Sequence, residues 1–399
     1  MKHRIKWVGI VGAALLLSGC SLWSNPFKES AKESGQSGGV AFVEPQVKES
    51  TGLTRVWKES VAGAPSKHQQ HPGQIAVTGD DIFVGTFQGR VVRLNRERGR
   101  VLWETAVGDR VTGGVAIDAS RVYAGTKGGA LLAFDRETGK EVWRSPLSAP
   151  VTSAPVTGSG KVLCVTLDSR TYALNGEDGK RLWMHSTPPV TLVVMGAAPP
   201  TLDGRTVYTG YASGDVFALS LDNGAPLWAE NLSIAGGRSE LDLLQGVAAG
   251  IVLSEEGDNP ISGIKKLFAV NHQGRAVALL PRNGARVWER RLSAIRRPWL
   301  MGKQLFFAEM EGHVVALSAG DGMELWRTRV SDGLLTAPVA TAGKVVVADN
   351  RGRLISLDSN TGRVLGMDKL GEAVLADPVL VDNSLFLWTN EGNVLRYDF

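Results

Sequence analysis

Cysteines, histidines and paired carboxylates carry most protein chemistry, and this 399-residue chain has two cysteines and six histidines. Cys20 lies in "LLLSGCSLW" and Cys164 in "KVLCVTLD". Neither shows zinc-site spacing, and two such cysteines build no disulfide framework. His68 and His71 flank "QQ" ahead of "PG", while His3, His185, His272 and His313 are scattered. No GxSxG, HExxH or P-loop occurs. The residues therefore predict no catalytic group, no metal site and no cofactor. Cys164 alternates with valines and reads as a small buried apolar residue.

Cys20 has a local explanation instead. Lys2, Arg4 and Lys6 form a positive region, and "WVGIVGAALLL" (7–17) forms an apolar run. That run is shorter than the roughly 20 residues that span a bilayer, so residues 1–19 read as an export signal. "LSGC" (17–20) resembles the lipobox of bacterial lipoproteins, whose cysteine is acylated and becomes the first residue of the mature chain. Ser21 follows, not the Asp that holds such lipoproteins at the inner membrane, so the resemblance implies an outer-membrane address with the body facing the periplasm. Losing the signal removes three of the 44 basic residues and no acidic one, leaving 41 against 40 acidic residues. A chain so near neutrality gives no case for nucleic-acid binding. After the anchor, residues 20–52 are rich in Ser, Glu, Lys and Gly. They read as a flexible tether with a reach on the order of 30 Å.

What must position any functional surface is a repeat. "VVRLNRERGRVLW" (91–103), "LLAFDRETGKEVW" (131–143), "TYALNGEDGKRLW" (171–183), "VFALSLDNGAPLW" (216–228), "AVALLPRNGARVW" (276–288) and "VVALSAGDGMELW" (314–326) each end in Trp four residues after Gly. A seventh, "LISLDSNTGRVLG" (354–366), ends in Gly366. Each reads as an alternating strand with two different faces, a turn closed by Gly, and a second strand. The tryptophan is expected to plug each sheet against its neighbour. Upstream, turns such as "GTFQG" (85–89), "GTKGG" (125–129) and "ADNRG" (348–352) close on Gly, and only "VTLDSR" (165–170) lacks it.

Successive tryptophans from Trp57 to Trp326 are separated by 46, 40, 40, 45, 60 and 38 residues. Four strands per period of about 40 residues predict a β-propeller. The fold expected over 53–399 is all-β, with eight four-stranded antiparallel blades. The last unit, "SLFLWTNEGNVLRYDF" (384–399), supplies no outer strand, and "TRVWKES" (54–60) has no preceding strands of its own. The N-terminal strand is therefore expected to close the ring in the last blade, removing an exposed edge.

Connections from an outer strand to the next inner strand share one face. Two are long, "PPVTLVVMG" (188–196) and "SIAGGRSELDLLQG" (233–246), and they enter neighbouring blades. Long loops on a rigid frame are where binding residues sit. The alternative for "VTLVVMG" is a mere extension of the inner strand into the core.

The "ALD…TGKxLW" repeat resembles the quinoprotein propellers. That resemblance implies an alternative function, a lipid-anchored quinoprotein-type enzyme or a ligand sensor using the central channel. The adjacent-cysteine disulfide and the carboxylate–amide calcium ligands of those enzymes have no counterpart here. Signal, lipobox, tether and cofactor-less ring together resemble the BamB family, lipoproteins of the outer-membrane β-barrel assembly machinery (the BAM complex). The resemblance covers essentially the whole chain. It implies a non-catalytic scaffold, monomeric within a hetero-complex, that binds the periplasmic POTRA domains of BamA and assists outer-membrane protein insertion. Unfolded outer-membrane proteins are a further implied partner class. The family's apolar L-x-L-R maps onto Leu192, Val193, Val194 and Met195, with Met195 in place of arginine. Its acidic motif maps onto Glu240, Asp242 and Leu244, while Gly246 and Ala248 replace the later aspartates. The implied contact is thus more apolar than the family pattern.

Overall fold

The computed structural model describes residues 42, 45, 47, 49–61, 74–188, 198–233, 246–247, 249–254, 264–341 and 343–399. Within them run thirty-two strands, β1 to β32 in chain order, and no helix. They form eight antiparallel sheets of four. Blade one contains β2 (Ile75–Thr78), β3 (Asp81–Thr86), β4 (Arg90–Asn95) and β5 (Val101–Ala106), and blades two to seven repeat that order. Blade eight contains β30 (Val379–Val381), β31 (Ser384–Trp388), β32 (Asn393–Asp398) and, outermost, β1 (Thr54–Ser60). The N-terminal strand therefore closes the ring as expected.

Strand burial departs from the expected two-faced alternation. β3 is buried at all six positions, whereas the outer strand β5 alternates between exposed and half-buried. Each blade is sandwiched between two others, so its middle strands have no solvent face; only the rim strand does.

The outer strands share one irregularity. In blade two, Ala133 pairs with Trp143 but Phe134 pairs with Glu141, leaving Val142 as a bulge; β1 has the same shift between Arg55 and Trp57. A bulge re-aims the next side chain, and here that side chain is the tryptophan. Its indole crosses to the following blade rather than plugging its own. Trp103 Nε1–H donates to the Arg136 carbonyl at 2.9 Å, and the same bond recurs from Trp57 to Arg96 and from Trp326 to Ser359. The ring lies on the turn glycine of that next blade. A Cβ on Gly139 would come 2.6 Å from Trp103, and Gly139 also has φ +69°. The repeated Gly-x3-Trp thus couples neighbouring blades, glycine receiving one tryptophan and preceding another. Where "VTLDSR" lacks the other hairpin glycine, Ser169 adopts φ 60°.

The junction between blades seven and eight differs. Gly366, on β29 (Val364–Lys369), holds the tryptophan position and pairs with Ser356. A Cβ there would lie 2.0 Å from the Ser50 carbonyl oxygen. Met367 N–H donates to the Glu49 carbonyl (3.0 Å), Thr51 N–H donates to Asp368 (3.2 Å), and Leu53 is buried against Val346 and Leu385. The packed body thus reaches back to Glu49.

Candidate partner-docking face

The two long connections run from β13 (Arg181–Ser186) to β14 (Thr201–Asp203) and from β17 (Pro226–Asn231) to β18 (Val252–Leu253). They enter blades four and five, on the face that carries the turns between second and third strands. Leu192, Val194 and Met195 lie in the first connection, and Glu240, Asp242 and Leu244 in the second; all six fall outside the described residues, as does Cys20.

The frame around them is well defined. Thr187 N–H donates to the Ser169 carbonyl at 3.3 Å, where the first connection departs. The second departs at Leu232, whose N–H donates to Gly214 (2.8 Å) and whose carbonyl accepts from Asn271 Nδ2 (2.6 Å). It returns at Gly246 and Val247. There the Gly246 carbonyl accepts from His272 N–H (3.2 Å), and Val247 N–H donates to Tyr211 (3.0 Å). Both ends are therefore clamped to hairpin turns of blades four and five. A Cβ on Gly246 would come 3.3 Å from the Ala212 Cα. The close approach gives a steric reason for glycine where the family pattern has aspartate.

Two residues before Thr187, His185 joins an aromatic cluster of blades three and four. The His185 ring is 4.8 Å from Phe217, and Tyr211 meets Phe217 edge-on at 5.7 Å. Tyr211 shares a 2.7 Å hydrogen bond with Thr171. Burial lowers the His185 pKa and raises that of Tyr211, so both are neutral near pH 7. This cluster carries no charge of its own.

The arrangement offers little to bond-making chemistry. No group of three or more His, Cys, Asp or Glu suited to a metal occurs among the described residues. His185, His272 and His313 stand in blades three, five and six. Cys164 is fully buried, and burial pushes its thiol pKa up to about 12, so the nucleophilic thiolate is suppressed. A cleft of about 580 Å³ between blades two and three is lined by Leu147, Ser148, Arg170, Tyr172, Lys180 and Arg181. Its Ser148 hydroxyl is bonded to Asp168 (2.6 Å) and Tyr172 (2.8 Å), and among the described residues no imidazole bonds to it.

Sequence reasoning missed a third long connection on this face, residues 61–74 between β1 and β2. Its signal was available in "VAGAPSKHQQHPGQ", fourteen residues without strand alternation. No candidate membrane-spanning helix occurs among the described residues.

Comparison with known proteins follows the same lines. The family described as "Outer membrane protein assembly factor BamB" matches residues 14–111, 88–328 and 310–399. A protein of that name from Pseudomonas aeruginosa is 43% identical over 289 residues, covering 72% of this chain and 70% of that protein. The crystal structure of BamB from Moraxella catarrhalis superimposes with a TM-score of 0.78 at 25% identity, covering 87% of this chain and 100% of that one. A quinohemoprotein alcohol dehydrogenase from Pseudomonas putida HK5 shares the fold, with a TM-score of 0.70 at 14% identity over 89% of this chain and 78% of that one.

Proposed function

The chain belongs to the BamB family of outer membrane protein assembly factors, and we propose that it serves that assembly as a non-catalytic, lipid-anchored docking ring. In this reading the signal ends at residue 19 and Cys20 is acylated. The tether then holds the propeller at the periplasmic face of the outer membrane. The ring docks on the POTRA domains of BamA through the connections entering blades four and five. Leu192, Val194 and Met195 supply the apolar anchor, and Leu244 with Glu240 and Asp242 supplies the second contact. The ring is a monomer inside the BAM complex, with unfolded outer-membrane proteins as its clients.

The observation that supports the reading is that the two long connections enter neighbouring blades and that the described ends of the second are bonded to hairpin turns of blades four and five. Apolar anchors dominate such interfaces, each costing about 2 kcal/mol or more when removed, while rim charges change little. Leu192→Asp combined with Val194→Asp should therefore cut co-purification of BamA from native membranes more than tenfold, with the melting temperature unchanged. Ile264→Asp serves as control. Ile264 is exposed and lies between the first and second strands of blade five, on the opposite face. Full co-purification by a folded double variant would sink the assignment. The quinoprotein alternative rests on fold alone. A quinone absorbance band retained after adding pyrroloquinoline quinone and calcium would revive it.

A further inference from the structure

Each blade carries one equivalent residue at or just before its innermost strand, the strand that borders the axis of a propeller, and the ladders give the register. Ala76 pairs with Phe83, Thr201 with Tyr208, Trp299 with Phe306 and Val379 with Phe386, in equivalent positions of their blades. The residue two positions earlier in each blade is the equivalent position compared around the ring. Five of these eight are Gly, Ala or Pro; the others are Gln74, Arg297 and Asp377. Neighbours in the ring touch. A Cβ on Gly250 would lie 3.1 Å from the Arg297 Cγ and Cδ, and Ala337 N–H donates to Asp377 Oδ1 at 3.0 Å.

The two charges are not equally satisfied. Asp377 also faces Arg296 at 3.6 Å. Among the described residues Arg297 has no hydrogen-bond or ion-pair partner, and it is exposed although inner strands surround it. The protein packed around it desolvates the guanidinium and lowers its pKa although its surface still reaches solvent, and Asp377 offsets part of that. A guanidinium remains charged at neutral pH, so the channel presents an unpaired planar fork of donors.

We propose that the axial channel is an anion site in which Arg297 receives a carboxylate. A guanidinium pairs such a group in bidentate fashion. The acid in the same ring, Asp377, disfavours a dianion such as phosphate, whereas a single carboxylate balances the charge of Arg297, which has no partner among the described residues. Gly, Ala or Pro at five of the eight equivalent positions takes up little room beside it. The inference is independent of where a protein partner docks. The carboxylate comes either from a small free acid or from the C-terminus of an extended peptide.

Calorimetry on the full mature protein distinguishes these sources. The probes are acetyl-glycine, a five-residue peptide with a free C-terminus, and its C-terminally amidated twin. At least one carboxylate probe should bind saturably, with amidation of the peptide weakening any peptide binding about tenfold or more. Binding of acetyl-glycine identifies the small-acid source, and binding of the peptide alone identifies the chain end. Arg297→Gln should lose about tenfold or more, Arg297→Lys should retain part of the affinity, and Arg291→Gln on the exposed outer strand should change nothing. Melting temperatures check folding, and Arg297→Met replaces Arg297→Gln if the latter unfolds. Absence of saturable binding to wild type at about 1 mM probe, or undiminished binding by a folded variant lacking the guanidinium, overturns the proposal.

Discussion

At the junction of blades two and three, the Trp143 indole lies on Gly179 and donates to the Gly176 carbonyl at 3.1 Å. At the junction of blades seven and eight the same position is Gly366, and residues 49–53 of the N-terminal segment fill the space. The physical reason is connectivity. A tryptophan needs the next blade's outer turn as its seat, and blade eight has none, because its third and fourth strands are the two ends of the chain. Seven junctions are closed by a side chain and one by backbone. The backbone seam, made by residues 49–53, lies four blades from the connection entering blade four.

The largest effect expected from this contrast is at the seam. Deleting 21–48 should leave the thermal transition in place, and deleting 21–53 should lower it. Deleting 21–60 also removes β1 and its Trp57, and should cost more than the 3–5 kcal/mol of a typical buried Trp→Ala change, roughly 5 kcal/mol or more. Equal melting temperatures for the three truncations would show that the ring does not close through its N-terminus.

Next in size is a swap between the two kinds of junction. Trp143→Ala should cost about 3–5 kcal/mol. Gly366→Ala should cost about 1–3 kcal/mol by overpacking against Ser50. That second cost should vanish in the protein lacking 21–53, a coupling that a double-mutant cycle on denaturant curves reads directly. An unchanged cost there would mean that Gly366 is glycine for another reason.

A smaller, pH-dependent effect involves Glu372, which accepts from Lys58 of β1 and from Asn393. Burial alone would raise its pKa, but the bonds from Lys58, Asn393 and Thr389 win and lower it. The folded value lies below the unfolded one, about 4.3. Its contribution is therefore complete above the unfolded value and lost as pH falls through the folded one. Melting temperature should fall less steeply between about pH 5 and pH 3 in Glu372→Gln than in wild type; parallel curves would remove Glu372 from the seam.

The smallest effect is at the turn that lacks glycine. Ser169 adopts φ 60°, so Ser169→Gly should stabilise blade three by up to about 1 kcal/mol. Destabilisation would mean that the serine side chain has an unrecognised role.

Most of the ring was legible in the sequence because Gly-x3-Trp is a local pattern repeated at near-constant spacing. The closure was legible because "TRVWKES" carries the tryptophan strand without its blade. Gly366 was visible as an exception, but its cause was not. The substitute contact comes from Glu49 to Leu53, more than 300 residues away and in a stretch whose composition reads as tether. Arg297 was hidden for a similar reason: "IRRPW" looks like any solvated basic cluster until the ladders of eight blades set its register. The proposed docking residues stand differently. Connection length suggested them as candidates, and their chemistry depended on a family pattern from which Met195, Gly246 and Ala248 depart; the six themselves fall outside the described residues.

The central claim is that the ring meets its partner through the connections entering blades four and five, away from the seam. Site-specific photocrosslinking in native membranes tests it most directly. A photoreactive residue at position 194 should give an adduct with BamA, and one at position 264 on the opposite face should give none. An adduct from 264 with none from 194 would contradict the account and move the docking surface to the other face of the propeller.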